Sequence, residues 1–194
     1  YEIRELYDVK SSKRIYAKEL TTSGIPFLKV GDVLERINTG ESHPTVFISE
    51  QKYCELKESG LVPKAGDILV TSRGTIGKCY ILADDDAFYF QDGMISWLKA
   101  KCDCRLLPEF TAALFAEEGF LKTLDEVTNK TTVTYISLDK LAGLKVICPP
   151  EEKQREYLDF LRQSDKSKFA IQCCSNLNLS GPVNAIISSV TPLL

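Results

Sequence analysis

Short apolar runs, separated by glycines and polar clusters, dominate the first hundred residues, and this pattern is typical of β-strands. The run at residues 68–72 is separated by a glycine-punctuated turn from a second run at residues 79–82, and together they predict a hairpin. A second strand pair is predicted at residues 87–91 and 94–99, turning at Asp92-Gly93.

A further extended run at residues 25–30 ends at Gly31-Asp32, which is a turn signal. Residues 30–34 resemble residues 65–69, since both contain Gly-Asp followed by aliphatic side chains. With only two copies a solenoid is not indicated, and two similar turn-to-strand junctions in one sheet explain the echo better.

Helices are predicted in the second half of the chain and at one place before it. Residues 49–59 start at Ser49, a favourable N-cap, and end before Gly60, a favourable C-cap. Residues 108–127 begin with Pro108, which suits a first helical turn. Gly119 is expected to break this helix. Its apolar face is expected to consist of Phe110, Leu114, Phe115, Leu121 and Leu124.

The clearest boundary is Pro149-Pro150, which follows a short predicted strand at residues 144–148 and a turn capped by Ser137. Residues 151–175 contain neither proline nor glycine, begin with acidic residues and predict a helix. Its incomplete apolar stripe favours packing on its own domain or pairing with a partner helix. The stripe consists of Tyr157, Leu158, Leu161, Phe169 and Ile171.

Charge changes this picture in two opposing ways. The net charge is −3 with a pI of about 5.4, which counts against a free-standing nucleic-acid binder. Residues 10–30, however, carry several cations against the single acid Glu19, whereas residues 84–86 and 151–159 are acidic. A basic face and a mixed, solvated surface both remain open on this evidence.

The cysteine count and the apolar runs indicate a cytoplasmic protein. The seven cysteines form an odd set without a visible secretory signal, which favours reduced thiols, and none has the paired spacing of a zinc knuckle. We expect them to be small buried or half-buried side chains. No apolar run is long enough for a membrane helix, so no membrane partner is expected.

Catalytic patterns are incomplete. His43, the single histidine, has no neighbour in sequence that suggests a triad, so a surface-loop histidine is the better interpretation. Phosphate-binding loops of the GxxxxGK[ST] and GxGxxG types are missing. Pro149-Pro150-Glu151 lacks the aromatic residue with which a DNA amino-methyltransferase stacks on a flipped base. The lone triplet at residues 55–57 is too common to indicate a nuclease. We therefore expect no catalytic residue, cofactor or metal.

Four segments, taken together, resemble the specificity subunit of type I restriction-modification systems. Their order and spacing match one target-recognition domain followed by one conserved spacer helix. The segments are residues 22–33, 64–78, 136–154 and 165–172.

This resemblance implies an α/β fold, with a mixed, twisted sheet and flanking helices in a recognition domain at residues 1–148. A spacer or dimerisation helix at 149–180 and a C-terminal tail at 181–194 would follow. In that family a full subunit usually has two recognition domains and two helices that pair antiparallel. This chain would therefore be a half-length subunit, a fragment or a product of gene rearrangement, and the break at residues 176–182 shortens its helix.

The resemblance also implies partners: double-stranded DNA, modification subunits that bind S-adenosylmethionine and methylate adenine, the restriction subunit through the complex, and a second half-subunit or a homodimer. Arg73 would contact guanine, and glycine turns would let the backbone approach DNA closely. A solvent-exposed hairpin tip and a polar loop are the plain alternatives. The candidate DNA contacts are Lys13, Arg14, Ser72, Arg73, Gly74, Lys78, Lys130, Thr131 and Thr132.

Two other functions remain open from the sequence. A protein-interaction scaffold with the same fold that has lost DNA binding is favoured by the acidic pI. An enzyme that uses cysteine and aspartate is supported by the cysteine count alone.

Overall fold

The structure, a computed structural model, describes residues 1–128 and 134–176, with side chains up to residue 164. The chain divides into two compact units, of which the first is Tyr1–Arg155 and the second begins at Glu156. No helix among the described residues is both long and apolar enough to cross a membrane.

The described residues form eight strands and seven α-helices, with one short 3-10 helix at Ala17–Glu19. The strands are β1 Tyr7–Ser11, β2 Leu20–Thr21, β3 Ile25–Leu28, β4 Phe47–Ile48, β5 Ile68–Thr71, β6 Cys79–Ile81, β7 Tyr89–Phe90 and β8 Ile95–Ala100. The helices are α1 Ile3–Leu6, α2 Val30–Thr39, α3 Glu50–Glu58, α4 Pro108–Ala116, α5 Glu118–Val127, α6 Leu138–Ala142 and α7 Glu151–Asn176.

These strands form two sheets, so the mixed α/β class is confirmed but its strands do not share one sheet. The first sheet has the order β1-β8-β5-β6 and is antiparallel throughout. The second has the order β2-β4-β3-β7 and is mixed, because β3 and β7 run parallel while the other pairs are antiparallel.

The hairpin of β5 and β6 is confirmed, with Val70 opposite Cys79. The predicted pairing of the next two runs is wrong. β7 joins β3 in the second sheet and β8 lies between β1 and β5 in the first. The Asp92-Gly93 turn therefore carries the chain from one sheet to the other instead of closing a hairpin.

Trp97 lies at the centre of the main core, fully buried on β8. Leu69, Phe88 and Phe90 belong to the same apolar cluster, and each such buried side chain contributes about 1.5–3 kcal/mol. The indole N–H of Trp97 donates to Asp67 Oδ2 at 2.9 Å, which satisfies the buried polar end of the ring.

A second apolar cluster lies between the mixed sheet and α3. Ile48, Phe27 and Leu56 are buried there, and Leu56 comes from α3 itself. The predicted N-cap of that helix is confirmed, because Ser49 Oγ accepts from the backbone N–H of Lys52 at 3.2 Å.

Gly31-Asp32 does not form the expected turn, because both residues lie in the first turn of α2. The sequence similarity between the two Gly-Asp segments has another, local structural cause. Asp32 Oδ2 accepts from the N–H of Lys29 at 2.7 Å, and Asp67 Oδ2 accepts from the N–H of Lys64 at 2.9 Å. In both segments the aspartate caps the residue three positions earlier, but a helix follows in one case and a strand in the other.

Residues 108–127 are helical as predicted, with Pro108 in the first turn, but the break comes at Glu117 and not at Gly119. Residues 144–148 do not form the expected strand, since among these described residues only Lys145 takes part in a bridge, opposite Glu2. The helix predicted after Pro149-Pro150 is confirmed as α7, which has 26 residues.

Candidate nucleic-acid interface

Ser72 follows β5 and is held inside the first sheet. Its N–H donates to the carbonyl of Met94 at 2.9 Å. Its side chain is buried, with the hydroxyl 2.6 Å from Ser96 Oγ and 3.2 Å from the carbonyl of Val70. The sequence predicts Ser72 as a DNA contact. Its hydroxyl faces the protein interior, however, because the residue continues the backbone of β5 and its side chain packs against Ser96.

Arg73 is fixed from the opposite side by the segment at residues 134–136. Arg73 and Tyr135 form an antiparallel bridge, and the N–H of Gly74 donates to the carbonyl of Thr134 at 2.9 Å. The backbone of Arg73 is therefore part of a short sheet extension and not of a free hairpin tip. Its exposed side chain projects from a rigid base.

Arg73 lines a shallow depression of about 440 Å³. Three segments meet there: the turn after β5, the start of α2 and the connection from β7 to β8. We call this feature the Arg73 depression, and its lining residues are Lys29, Val30, Gly31, Arg73, Gly74, Gln91 and Met94.

Charge in the Arg73 depression is positive. Lys29 and Arg73 are cationic, and the residues that line it include no carboxylate. Within the described part of the chain, neither cation has an ion-pair partner within 4 Å. An anionic ligand would therefore meet two cations without first displacing a described carboxylate from them.

Arg14 does not line this depression and is already paired. Its Nε is 2.8 Å from Asp92 Oδ2, and this hydrogen bond raises the pKa of Arg14. The guanidinium remains well exposed. Its partner Asp92 follows the lining residue Gln91 in the sequence.

The other candidate cations lie elsewhere. Lys13 has an exposed side chain, and its N–H donates to Tyr89 Oη at 2.8 Å. Lys78 is exposed at the far end of the β5–β6 turn, where its N–H donates to Thr71 Oγ1 at 3.0 Å. Neither lines the Arg73 depression. Lys130, Thr131 and Thr132 lie outside the described residues.

Sequence analysis missed Gln91 and Met94 and did not single out Lys29. Gln91 is placed by its N–H, which donates to the carbonyl of Leu28 at 2.9 Å and extends the parallel β3–β7 ladder. Since parallel pairing is non-local, no short motif could have indicated that Gln91 and Arg73 line the same surface.

A larger depression of about 690 Å³, on the α2–β6 side, is acidic and internally paired. Arg36 donates to an Asp86 carboxylate and to Tyr80 Oη, and its guanidinium lies 4.9 Å from the centre of the Phe88 ring. Asp85 also lines the depression. A polyanion is disfavoured here because the cation already has a carboxylate partner.

The residues weighed for catalysis have structural roles. His43 does have a companion, since its Nδ1 is 3.0 Å from Glu35 Oε1, but the pair is exposed and this hydrogen bond raises the pKa of His43. Pro149-Pro150-Glu151 opens α7, where Glu151 pairs with Arg155 at 2.6 Å.

The cysteines are less buried than expected. The five whose side chains are described are unpaired thiols, and Cys54 and Cys102 are exposed instead of buried or half-buried. Among the described residues, no cluster of three or more His, Cys, Asp or Glu side chains could hold a metal ion.

The second unit begins within α7 and presents part of the predicted stripe. Tyr157, Leu158 and Leu161 are half-buried, and Phe160, which sequence analysis did not include, is 66% exposed. The side chains of Phe169 and Ile171 lie outside the described set. An exposed phenylalanine beside the stripe widens its apolar surface.

Comparison with known proteins gives one consistent result. The model of the type I restriction modification DNA specificity domain matches residues 1–175. A putative type I restriction enzyme specificity subunit, S.HindORF215P of Haemophilus influenzae (strain ATCC 51907 / DSM 11121 / KW20 / Rd), is 29% identical over 163 residues, which are 82% of this chain and 38% of that relative.

Solved structures share the fold at low identity. The S subunit of a type I restriction-modification system from M. genitalium has a TM-score of 0.56 at 15% identity, covering 86% of this chain and 38% of that one. The HsdS subunit from Thermoanaerobacter tengcongensis has a TM-score of 0.59 at 16% identity, covering 89% and 38%. The chain thus spans about two fifths of the length of these relatives. By its family match over residues 1–175, the chain belongs to the type I restriction modification DNA specificity domains.

Proposed function

We propose that this chain is a non-catalytic module that binds double-stranded DNA in a sequence-specific manner through the surface around Arg73. The observation that carries the proposal is the Arg73 depression, which combines two cations with a rigid backbone and lacks carboxylates in its lining. The family match supports a role in specificity.

The physical basis of binding has two parts. Lys29 supplies a cation for a phosphate, a contact that fixes register without reading sequence. Arg73, held between the segments at Met94 and Tyr135, presents a planar fork that suits the O6 and N7 atoms of guanine. Rigid support matters because little conformational entropy is then lost on binding.

The acidic net charge does not oppose this assignment once the charges are located. Asp86 is paired with Arg36, and Asp92 with Arg14. A net charge of −3 therefore coexists with a local cationic surface. At low salt the negative net charge of the chain repels DNA over a long range, so binding is weaker than the local cationic surface alone would give. This repulsion favours action within a complex.

The chain works, in this proposal, with modification subunits and, through them, with the restriction subunit of a cytoplasmic type I system. A second half-subunit or a second copy supplies the other half-site. Helix α7 provides the contact, with Tyr157, Leu158, Phe160 and Leu161 at its centre and Phe169 and Ile171 further along.

The test is duplex binding by the chain together with its modification subunits, measured by fluorescence anisotropy over a range of salt. Arg73→Ala is expected to reduce the preference for the selected sequence, and Lys29→Ala to weaken all sequences equally and lower the salt slope by about one. Lys57→Ala, an exposed lysine on α3, is the matched control.

Two outcomes would contradict the proposal. Absence of duplex binding at every salt concentration, for wild type and for all three variants, would instead support a protein-interaction scaffold that has lost DNA binding. Methyl transfer from labelled S-adenosylmethionine to DNA by the chain alone would contradict its non-catalytic role.

A further inference from the structure

Gln91 and Arg73 both line the Arg73 depression. Gln91 is half-buried, and no hydrogen bond joins its amide to another side chain within the described residues. Its backbone, in contrast, is fixed by the bond to Leu28 at 2.9 Å. A glutamine on a fixed backbone with an unengaged amide offers one donor and one acceptor to a ligand.

Backbone hydrogen bonds also connect the segment of Gln91 with that of Arg73. The connection from β7 to β8 begins at Gln91 and reaches Met94, whose carbonyl accepts from Ser72, the residue before Arg73. Between these ends, the N–H of Gly93 donates to Ser11 Oγ at 3.1 Å. The relative position of the two backbone segments that carry Gln91 and Arg73 is thus set by hydrogen bonds on both walls of the depression.

We propose that Arg73 and Gln91 read two different base pairs of the same half-site, a guanine by Arg73 and an adenine by Gln91. Arginine bonds in a bidentate manner to guanine O6 and N7, and glutamine to adenine N6 and N7, both in the major groove. This inference rests on the proposed function and names the bases that the proposed surface takes.

The surroundings favour bases over phosphates as the ligand of Gln91. A neutral amide gains little from a phosphate in comparison with the cations Lys29 and Arg73 that line the same depression. Met94, half-buried against the main core, also lines the depression and gives it an apolar part, which suits a base more than a phosphate.

The experiment selects binding sites from a random duplex pool with the chain assembled with its modification subunits. Arg73→Ala is expected to remove a guanine preference at one position, and Gln91→Ala an adenine preference at another, each by roughly 5- to 150-fold. Gln51→Ala, an exposed glutamine on α3, is the matched control and is expected to leave the selected sequence unchanged.

Gln91→Glu provides a second, gain-of-function variant. A carboxylate accepts from cytosine N4, so the adenine preference is expected to become a cytosine preference at that same position. Such a switch requires a folded protein and therefore separates base reading from a loss of stability.

The outcomes distinguish the two proposals. If the wild-type complex selects a sequence and both Gln91 variants select the same one, the base-reading assignment is overturned while DNA binding stands. If Gln91→Ala weakens every sequence equally, Gln91 contacts the backbone and the assignment is also overturned. If the wild-type complex binds no duplex, the proposed function itself fails.

Discussion

The side-chain carbonyl of Gln154 accepts the backbone N–H of Leu107 at 2.8 Å, although the two residues are 47 positions apart in the chain. The amide nitrogen of the same side chain donates to the carbonyls of Arg105 and Pro149, each at 2.8 Å. Gln154 is completely buried. One side chain thus ties the first turn of α7 to the start of α4 and to the segment before it.

Gln154→Leu is expected to destabilise the protein by about 3 kcal/mol, because three partly buried hydrogen bonds to the backbone are lost while the volume changes little. Urea unfolding followed by circular dichroism measures the change. Glu152→Gln, at an exposed position in the same turn, is the control and should alter the free energy of unfolding by less than about 0.5 kcal/mol. A loss as small as that for Gln154→Leu would mean that water replaces the amide.

Asp67 makes stability depend on pH. Burial raises its pKa above the ordinary value of 3.8, although the hydrogen bonds from Lys64 and Trp97 oppose this effect. Between pH 3.8 and the raised pKa, Asp67 therefore keeps its proton in the folded state after the unfolded chain has lost it. Stability falls as pH rises from near 3.8 through the raised pKa, by at most about 1.4 kcal/mol per pH unit.

Asp67→Asn is expected to remove this dependence, since the asparagine carbonyl still accepts from Trp97 and cannot ionise. The measurement is the free energy of unfolding of wild type minus that of the variant, at a series of pH values upward from 3.8. A difference that grows with pH, in favour of wild type, would contradict the assignment.

Local patterns in the sequence were sufficient for the elements whose hydrogen bonds are local. The β5–β6 hairpin, the Ser49 cap of α3 and the proline-initiated α4 all follow from neighbouring residues. The pairing of β7 with β3 could not be predicted in this way. This pairing places Phe27 opposite Tyr89. The Asp92-Gly93 turn between β7 and β8 is equally compatible with a hairpin.

In the candidate interface too, some residues could be predicted from their neighbours in the sequence and others could not. Arg73 was identified because its segment resembles the specificity-subunit family, whereas Gln91 was missed because the parallel ladder places it. Ser72 was included as a candidate DNA contact next to Arg73, but strand packing directs its hydroxyl to Ser96. Which side a residue faces depends on both neighbouring strands, and these are distant in sequence.

Gly31 offers a test of whether DNA occupies the Arg73 depression. It is the second residue of α2, and an added Cβ would meet no heavy atom within 4 Å. Gly119 is the second residue of α5, which is also ten residues long, and an added Cβ there meets nothing either. The two glycines are therefore matched in structure, but only Gly31 lines the depression.

Both Gly31→Ala and Gly119→Ala are expected to raise stability slightly, by up to about 1 kcal/mol, because alanine favours helix. Gly31→Ala alone is expected to weaken duplex binding, because its methyl group fills space between the protein and DNA. Thermal unfolding and fluorescence anisotropy, on the same preparations, give the two quantities. Equal duplex affinities for both variants would place the DNA elsewhere.

Helix α7 is expected to associate with a second copy of itself or with a second half-subunit. Its 26 residues span about 39 Å at about 1.5 Å per residue. Phe160 is 66% exposed, next to the half-buried Tyr157, Leu158 and Leu161. An exposed apolar surface of this kind is typical of an interaction site. Association about a two-fold axis would bury the same surface on both chains.

Leu161→Asp and Phe160→Asp are each expected to weaken this association by at least about tenfold, since an unpaired carboxylate is costly to bury and about 1.4 kcal/mol corresponds to tenfold in Kd. As the control for Leu161→Asp, Gln163→Asp adds the same charge two residues further along α7, where the side chain faces away from Leu161, and should leave Kd nearly unchanged. Analytical ultracentrifugation of the full chain, alone and with modification subunits, measures the mass. A strict monomer under both conditions would remove the pairing role of α7, and equal weakening by Gln163→Asp would show a general charge effect instead of a specific interface.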